Sequence, residues 1–113
     1  MSLNLRPFTL ADAPVVDALH SAVDWPARSA GGWRWLAANP ARPDGFPIGW
    51  LAEDEAGRAA FVGQFPQRFW IGAQPVVGVT GYSIIVPPAL RGAAGPLMRR
   101  CKNREDGGLL YTL

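Results

Sequence analysis

The sequence predicts an α/β domain with a mixed, mostly antiparallel sheet and the element order β-α-α-β-β-β-α-β. Three observations carry this. Apolar runs separated by short polar or glycine turns fill the middle of the chain, as in a meander of antiparallel strands. An apolar pattern of helical spacing follows a short opening strand. A strand-helix-strand unit closes the chain, and such a connection sets its two strands parallel. At 113 residues this is one domain, 1–113. A hydrophobic content of 49% with 18% charged residues excludes a disordered chain.

The elements follow in order. Leu3 to Phe8 is a short strand with Leu3 and Leu5 on one face. Thr9 and Asp12 have the spacing of a capping box. A helix runs from about residue 10 to 23 through Val15, Val16, Leu19, Ala22 and Val23. Pro14 makes its first turn irregular or moves the cap to Asp12. A second, shorter helix spans about 31–39 and stops before Pro40. Gly49–Glu53, Arg58–Ile71 and Pro75–Val86 are three strands, the second interrupted by Pro66. The apolar parity of the third shifts near Gly81, which predicts a bulge or bend there. Pro87 and Pro88 end it, a helix starts at Pro96 and runs to Lys102, and Leu109–Leu113 is the last strand.

The net charge is +2, and its excess lies late, in Arg91, Arg99, Arg100, Lys102 and Arg104. A modest positive field near one element suits an anionic ligand and is too weak to indicate nucleic acid. Cys101 is the single cysteine, so neither an intrachain disulfide nor a cysteine metal cluster can form. With no secretory pattern at the start and no apolar run of about 18 residues, the expectation is a cytoplasmic protein with no membrane partner.

Chemistry concentrates at Arg91-Gly92-Ala93-Ala94-Gly95-Pro96, where the apolar strand Ile84-Ile85-Val86 leads through a turn of small residues into a helix. Small side chains let a ligand approach the backbone closely. Amides at a helix start favour a phosphate, and Arg91 can add a charge-assisted bond. The competing reading is structural: Gly92 and Gly95 let strand and helix pack tightly while Arg91 is solvated. The turn alone leaves both open.

Ile84-Ile85-Val86-Pro87-Pro88-Ala89-Leu90-Arg91-Gly92 resembles the central motif of the GNAT superfamily of N-acyltransferases. That motif is an Arg or Gln followed by x-x-Gly-x-Gly/Ala, after a strand ending Val-x-Pro. Here Ala94 and Pro96 stand at the two small-residue positions, with Gly95 between them. Leu5 to Ala13 is similar to the family's opening strand and cap, and Gly49 to Gly63 to its second and third strands. The likeness covers nearly the whole chain. It implies helices on both faces of a GNAT-like sheet and acetyl-CoA, or another acyl-CoA, as co-substrate. The backbone of Ile84 and Val86 would pair with the pantetheine arm. Arg91, Gly92, Ala93, Ala94, Gly95 and Pro96 would hold the pyrophosphate. A small-molecule amine or a protein amino group would attack the acyl carbonyl directly, by positioning and electrostatic stabilisation.

Two departures accompany the resemblance. Family members often carry a carboxylate base on the fourth strand, where Gly81-Tyr82-Ser83 has none, so no catalytic residue is assigned. The family also continues past a fifth strand. The chain thus reads as truncated there or as a minimal variant, with an open sheet edge that invites a homodimer. For the acceptor pocket the candidates are Trp25, Trp33 and Glu53, although core packing is the commoner use of Trp. His20, the single histidine, reads as solvated or as a partner of the helix C-terminus, and Cys101 as core. No metal constellation is present in the sequence. Three other classes remain: an inactive acyl-CoA-binding module, a basic Trp-rich binder of nucleic acid or carbohydrate, and a self-associating domain.

Overall fold

A computed structural model describes Ser2–Lys102 and Leu109–Leu110. Alternation along two adjacent strands builds the core. In β2 (Gly49–Glu53) and β3 (Ala59–Ile71), Leu51 pairs with Phe61 and Ala52 with Ala60. Neighbouring residues of a strand point to opposite faces, so one pair serves each side. Leu51 and Phe61 join Phe8, Val16, Trp33, Leu36 and Ile48 in one core layer. Ala52, Ala60 and Val62 join Leu90, Ala93, Leu97 and Cys101 in the other. The first layer is covered by α1 (Ala13–Ala22) and α2 (Ala30–Ala37), the second by α3 (Ala94–Lys102). Small alanines on the α3 face let that helix approach the sheet closely.

The five strands lie in sequence order, β1-β2-β3-β4-β5. The contacts of β1 (Asn4–Pro7), β2, β3 and β4 (Gln74–Ile85) are antiparallel, whereas β5 (Leu109–Leu110) runs parallel to β4. This is the expected mixed sheet with helices on both faces. Leu5 stands opposite Ala52 and packs with Leu3 against the α3 layer.

Two prolines are accommodated by position. Pro14 is the second residue of α1, where no intrahelical acceptor awaits its missing N–H. A 3-10 turn, Leu10–Asp12, precedes it, and the backbone N–H of Thr9 donates to the Asp12 carboxylate at 2.9 Å. Pro66 does not interrupt β3, contrary to expectation: it pairs with Val79 beyond the last β2 partner, Gly63. The outer edge of β3 has no β2 ladder there to interrupt, and the Pro66 carbonyl accepts from the Asn39 amide at 2.8 Å.

The predicted irregularity of β4 is present. Phe61 pairs with Ile85 and Gly63 with Tyr82, so β4 spends one more residue than β3 over that interval. Ser83 takes up the excess at φ 47°, in the left-handed region. The segment after β4 differs from the expected glycine turn. A 3-10 stretch, Pro88–Ala93, with a non-helical Leu90, runs directly into α3 at Ala94. Pro96 is therefore the third residue of α3 and not its first, still within the turn whose amides lack partners inside the helix.

Candidate functional site

The site grows from the end of β4. The described β5 residues pair only with Gly78 and Val79. Beyond them, Thr80–Ile85 has no partner strand opposite β3 among the described residues. The Ser83 bulge lies within this stretch. A strand edge of this kind offers N–H and C=O groups to an extended ligand. Ile84 is exposed, and Val86 is half-buried against the α3 layer.

A groove of about 320 Å³ runs along this end of β4. Ile84, Ile85, Val86 and Pro87 form one wall, and Leu19, Val23 and Trp25 form the other. The apolar stripe of α1 thus divides its work. Val16 and His20 turn into the core, while Leu19 and Val23 face the groove. Trp25 is placed by the way α1 ends. Asp24 adopts φ 58°, its N–H donates to the Ser21 carbonyl at 3.2 Å, and the Trp25 N–H donates to the His20 carbonyl at 2.9 Å. This is a Schellman ending with aspartate in the left-handed position. It folds Trp25 back beside His20, their rings 5.9 Å apart.

At the head of α3, Arg91, Gly92, Ala94 and Gly95 are exposed, whereas Ala93 is fully buried and Pro96 half-buried. A methyl group on Gly92 would meet nothing within 4 Å. One on Gly95 would meet the mobile end of Arg99 at 3.4 Å. Neither glycine needs a positive φ. Packing and backbone conformation therefore do not require either glycine, whereas Ala93 between them is packed in the α3 layer. By contrast, a methyl group on Gly49 would strike the Phe61 ring at 2.5 Å.

The proposed acceptor residues separate. Trp25 joins Ile84 and Val86 at the groove. Trp33 does not: it is 2% exposed and stacked on Phe8 at 4.8 Å. Glu53 is the last residue of β2, two strands across the sheet from β4, and pairs with Arg6 at 2.5 Å. Its carboxylate is engaged in holding β1 to β2. His20 is also corrected. It is 3% exposed, not solvated, and neither ring nitrogen has a hydrogen-bond partner. The signal was its spacing of four from Val16 on the buried face.

Sequence reading missed Arg28 and Tyr82. The Arg28 guanidinium lies 5.1 Å from the Trp33 ring centre and 5.5 Å from that of Tyr82. The Tyr82 hydroxyl donates to the Ile48 carbonyl at 2.9 Å, and burial holds its phenol well above the ordinary range. It is a poor proton donor in this setting. Burial likewise pushes the Cys101 thiol up to about 11, so it behaves as core. Among the described residues no helix is long and apolar enough to cross a membrane, and no three His, Cys, Asp or Glu side chains cluster for a metal.

No family model and no curated protein matches the chain in sequence. Solved structures do match in fold. An aminoglycoside acetyltransferase from an uncultured soil metagenomic sample superposes with a TM-score of 0.72 at 14% identity, over 100% of this chain and 80% of that one. An acetyltransferase of Trypanosoma brucei gives 0.67 at 16% identity, over 99% of this chain and 82% of that one. A GCN5-related N-acetyltransferase from Kribbella flavida gives 0.65 at 17% identity, over 95% of this chain and 29% of that longer one. The fold is that of the GNAT acetyltransferases.

Proposed function

We propose that this chain binds an acyl-CoA, with acetyl-CoA the first choice, and transfers its acyl group to an amine. The observation that carries the reading is the pair Gly92 and Gly95. They stand exposed beside Arg91 at the head of α3, and neither packing nor φ requires them. Glycines that the fold does not need are explained by a ligand that passes close to the backbone. The free edge of β4 around Ile84 and Val86 would pair with the pantetheine amides. Arg91 and the backbone of residues 92–96 would hold the pyrophosphate, Pro96 contributing no amide. The amine nitrogen forms a bond to the acyl carbon, the carbon–sulfur bond breaks, and the thiol leaves. The groove beside Trp25 is the acceptor approach. Orientation supplies most of the acceleration in such a site.

A second reading, acyl-CoA binding without turnover, is favoured by one observation. Gly81, Tyr82 and Ser83 bring no carboxylate to the bulge, and the Tyr82 hydroxyl is already committed to Ile48.

The test is thermal stability with and without acetyl-CoA, with free adenosine as control. Ligand at 100 times its dissociation constant stabilises a fold by about 2.7 kcal/mol. For a domain of this size that is a rise on the order of 10 °C. The rise should shrink in Arg91→Ala. No rise in a cooperatively melting protein would overturn the reading. Release of free thiol with a panel of amines then separates turnover from binding.

A further inference from the structure

We propose that the acceptor carries an anionic group, a carboxylate or a phosphate monoester, which Arg28 receives. This rests on the acyl-transfer reading above. Arg28 precedes Ser29, the residue that caps α2 by accepting from the Gly32 N–H at 3.0 Å. Its guanidinium lies against both the Trp33 and the Tyr82 rings. Both rings are anchored, Trp33 by stacking on Phe8 and by donating its indole N–H to the Asp17 carboxylate at 3.4 Å, Tyr82 by the Ile48 carbonyl. Ring contacts do not satisfy the N–H donors of a guanidinium, which are matched by a planar, two-oxygen partner. Among the described residues no such partner is supplied. The ion pairs formed among the described residues belong to Arg6 and Arg58, and the Arg28 Nε is buried with no acceptor. A partly desolvated cation without a counterion is costly, and contacts with two rings offset only part of that.

Position decides which anion is meant. Tyr82 immediately precedes the Ser83 bulge on the free edge of β4. Arg28 packs on the face of the sheet covered by α1 and α2, because Trp33 and Tyr82 belong to that layer. Arg91 belongs to the segment covering the other face, with Leu90 and Ala93. Two cationic positions on opposite faces fit two separate anionic groups, the donor's phosphates at Arg91 and an acceptor's own charge at Arg28. The same charge disfavours polycationic amines, since like charges brought together cost binding energy.

The test compares ethanolamine, β-alanine and phosphoethanolamine as acceptors, phenethylamine against phenylalanine, and spermidine as the polycation. Thiol release is followed in the wild type, Arg28→Met and Arg28→Lys. The expected result is a preference of about tenfold or more in kcat/KM for anionic over neutral amines, the scale of one charge-assisted hydrogen bond. The carboxylate and phosphate arms show which anion is preferred. Arg28→Met should lose that preference, mainly through a raised KM for the anionic amines, with acetyl-CoA affinity unchanged. Arg28→Lys should retain part of it. Equal use of neutral and anionic amines, or an equal loss on all acceptors in Arg28→Met, overturns the proposal. If acetyl-CoA binds but no amine is acetylated, calorimetry of β-alanine and phosphoethanolamine on the CoA-saturated protein decides. Binding lost in Arg28→Met supports the proposal, and no binding overturns it. If acetyl-CoA fails to bind, the acyl-transfer reading falls by itself, and the same titration on the free protein judges Arg28.

Discussion

Gly63 lies beneath the ring of Tyr82, its direct partner across β3 and β4. A methyl group at Gly63 would overlap the ring itself, which is anchored by its hydroxyl to Ile48 and cannot swing away without losing that bond. Gly63→Ala should therefore destabilise the fold by about 1–3 kcal/mol, the usual penalty of overpacking. Chemical denaturation checks this. Because Tyr82 is one contact of Arg28, the variant should also disturb acceptor use if it folds.

Gly92 is the opposite case. Nothing lies within 4 Å of where its Cβ would be, and its φ is not positive. Alanine removes conformational freedom from the unfolded chain at no steric cost, so Gly92→Ala should leave stability unchanged or raise it by up to about 1 kcal/mol. Acetyl-CoA affinity should fall at the same time. A variant that melts no lower than wild type yet gains less from the ligand would separate binding from folding. Unchanged affinity would remove the main support for a cofactor site at the head of α3.

These two glycines also show what the sequence made legible. Both are glycines in runs of small or apolar residues, and no local pattern distinguishes the one required by packing from the one that is not. The strands were readable because alternation is local. Gly49–Glu53 has the expected bounds, and the parity shift located the bulge within two residues of Ser83. The start of α3 was misplaced because Pro96 resembled a first helical residue, although any of the first turn tolerates proline equally for want of an acceptor. The acceptor side was least legible. Arg28 owes its setting to Trp33 and to Tyr82, the latter 54 positions away along the numbering. Trp25 depends on a left-handed Asp24, where glycine is the usual marker.

Arg6 joins three elements, and this makes stability depend on pH. It donates to both Asp12 carboxylate oxygens, at 2.9 and 2.8 Å, and to Glu53 at 2.5 Å. These bonds, Arg6 first and then Thr9, hold the Asp12 carboxyl down to about 2 from its ordinary 3.8. A depressed folded-state value means the contribution is fully present above about pH 4 and is lost as pH falls from 4 toward 2. Allowing for the solvent around Arg6, it is worth about 1–2 kcal/mol. Asp12→Asn should cost that much at pH 7, and the difference from wild type should close on acidification. Denaturation at pH 7, 4 and 2.5 measures it. A constant difference across that range would show that Asp12 acts only through its shape.

Trp25 and Trp33 were equivalent candidates for the acceptor pocket, and their surroundings now predict opposite phenotypes. Trp33 stacks on Phe8 and meets Phe61 edge-on at 6.3 Å, within the layer that seats α2 on the sheet. Trp33→Ala should cost about 3–5 kcal/mol, as large aromatic truncations in cores do, and leave a marginal fold. Trp25 is 47% exposed, and its ring walls the groove opposite Ile84 and Val86. Its position is set by backbone hydrogen bonds of the α1 ending, which alanine keeps. Trp25→Ala should shift the melting temperature little and act on acceptor KM, most strongly for apolar amines that would lie against the ring. Melting curves and initial rates on both variants make the comparison. A stable Trp25→Ala enzyme with unchanged KM for phenethylamine would move the acceptor approach away from this groove.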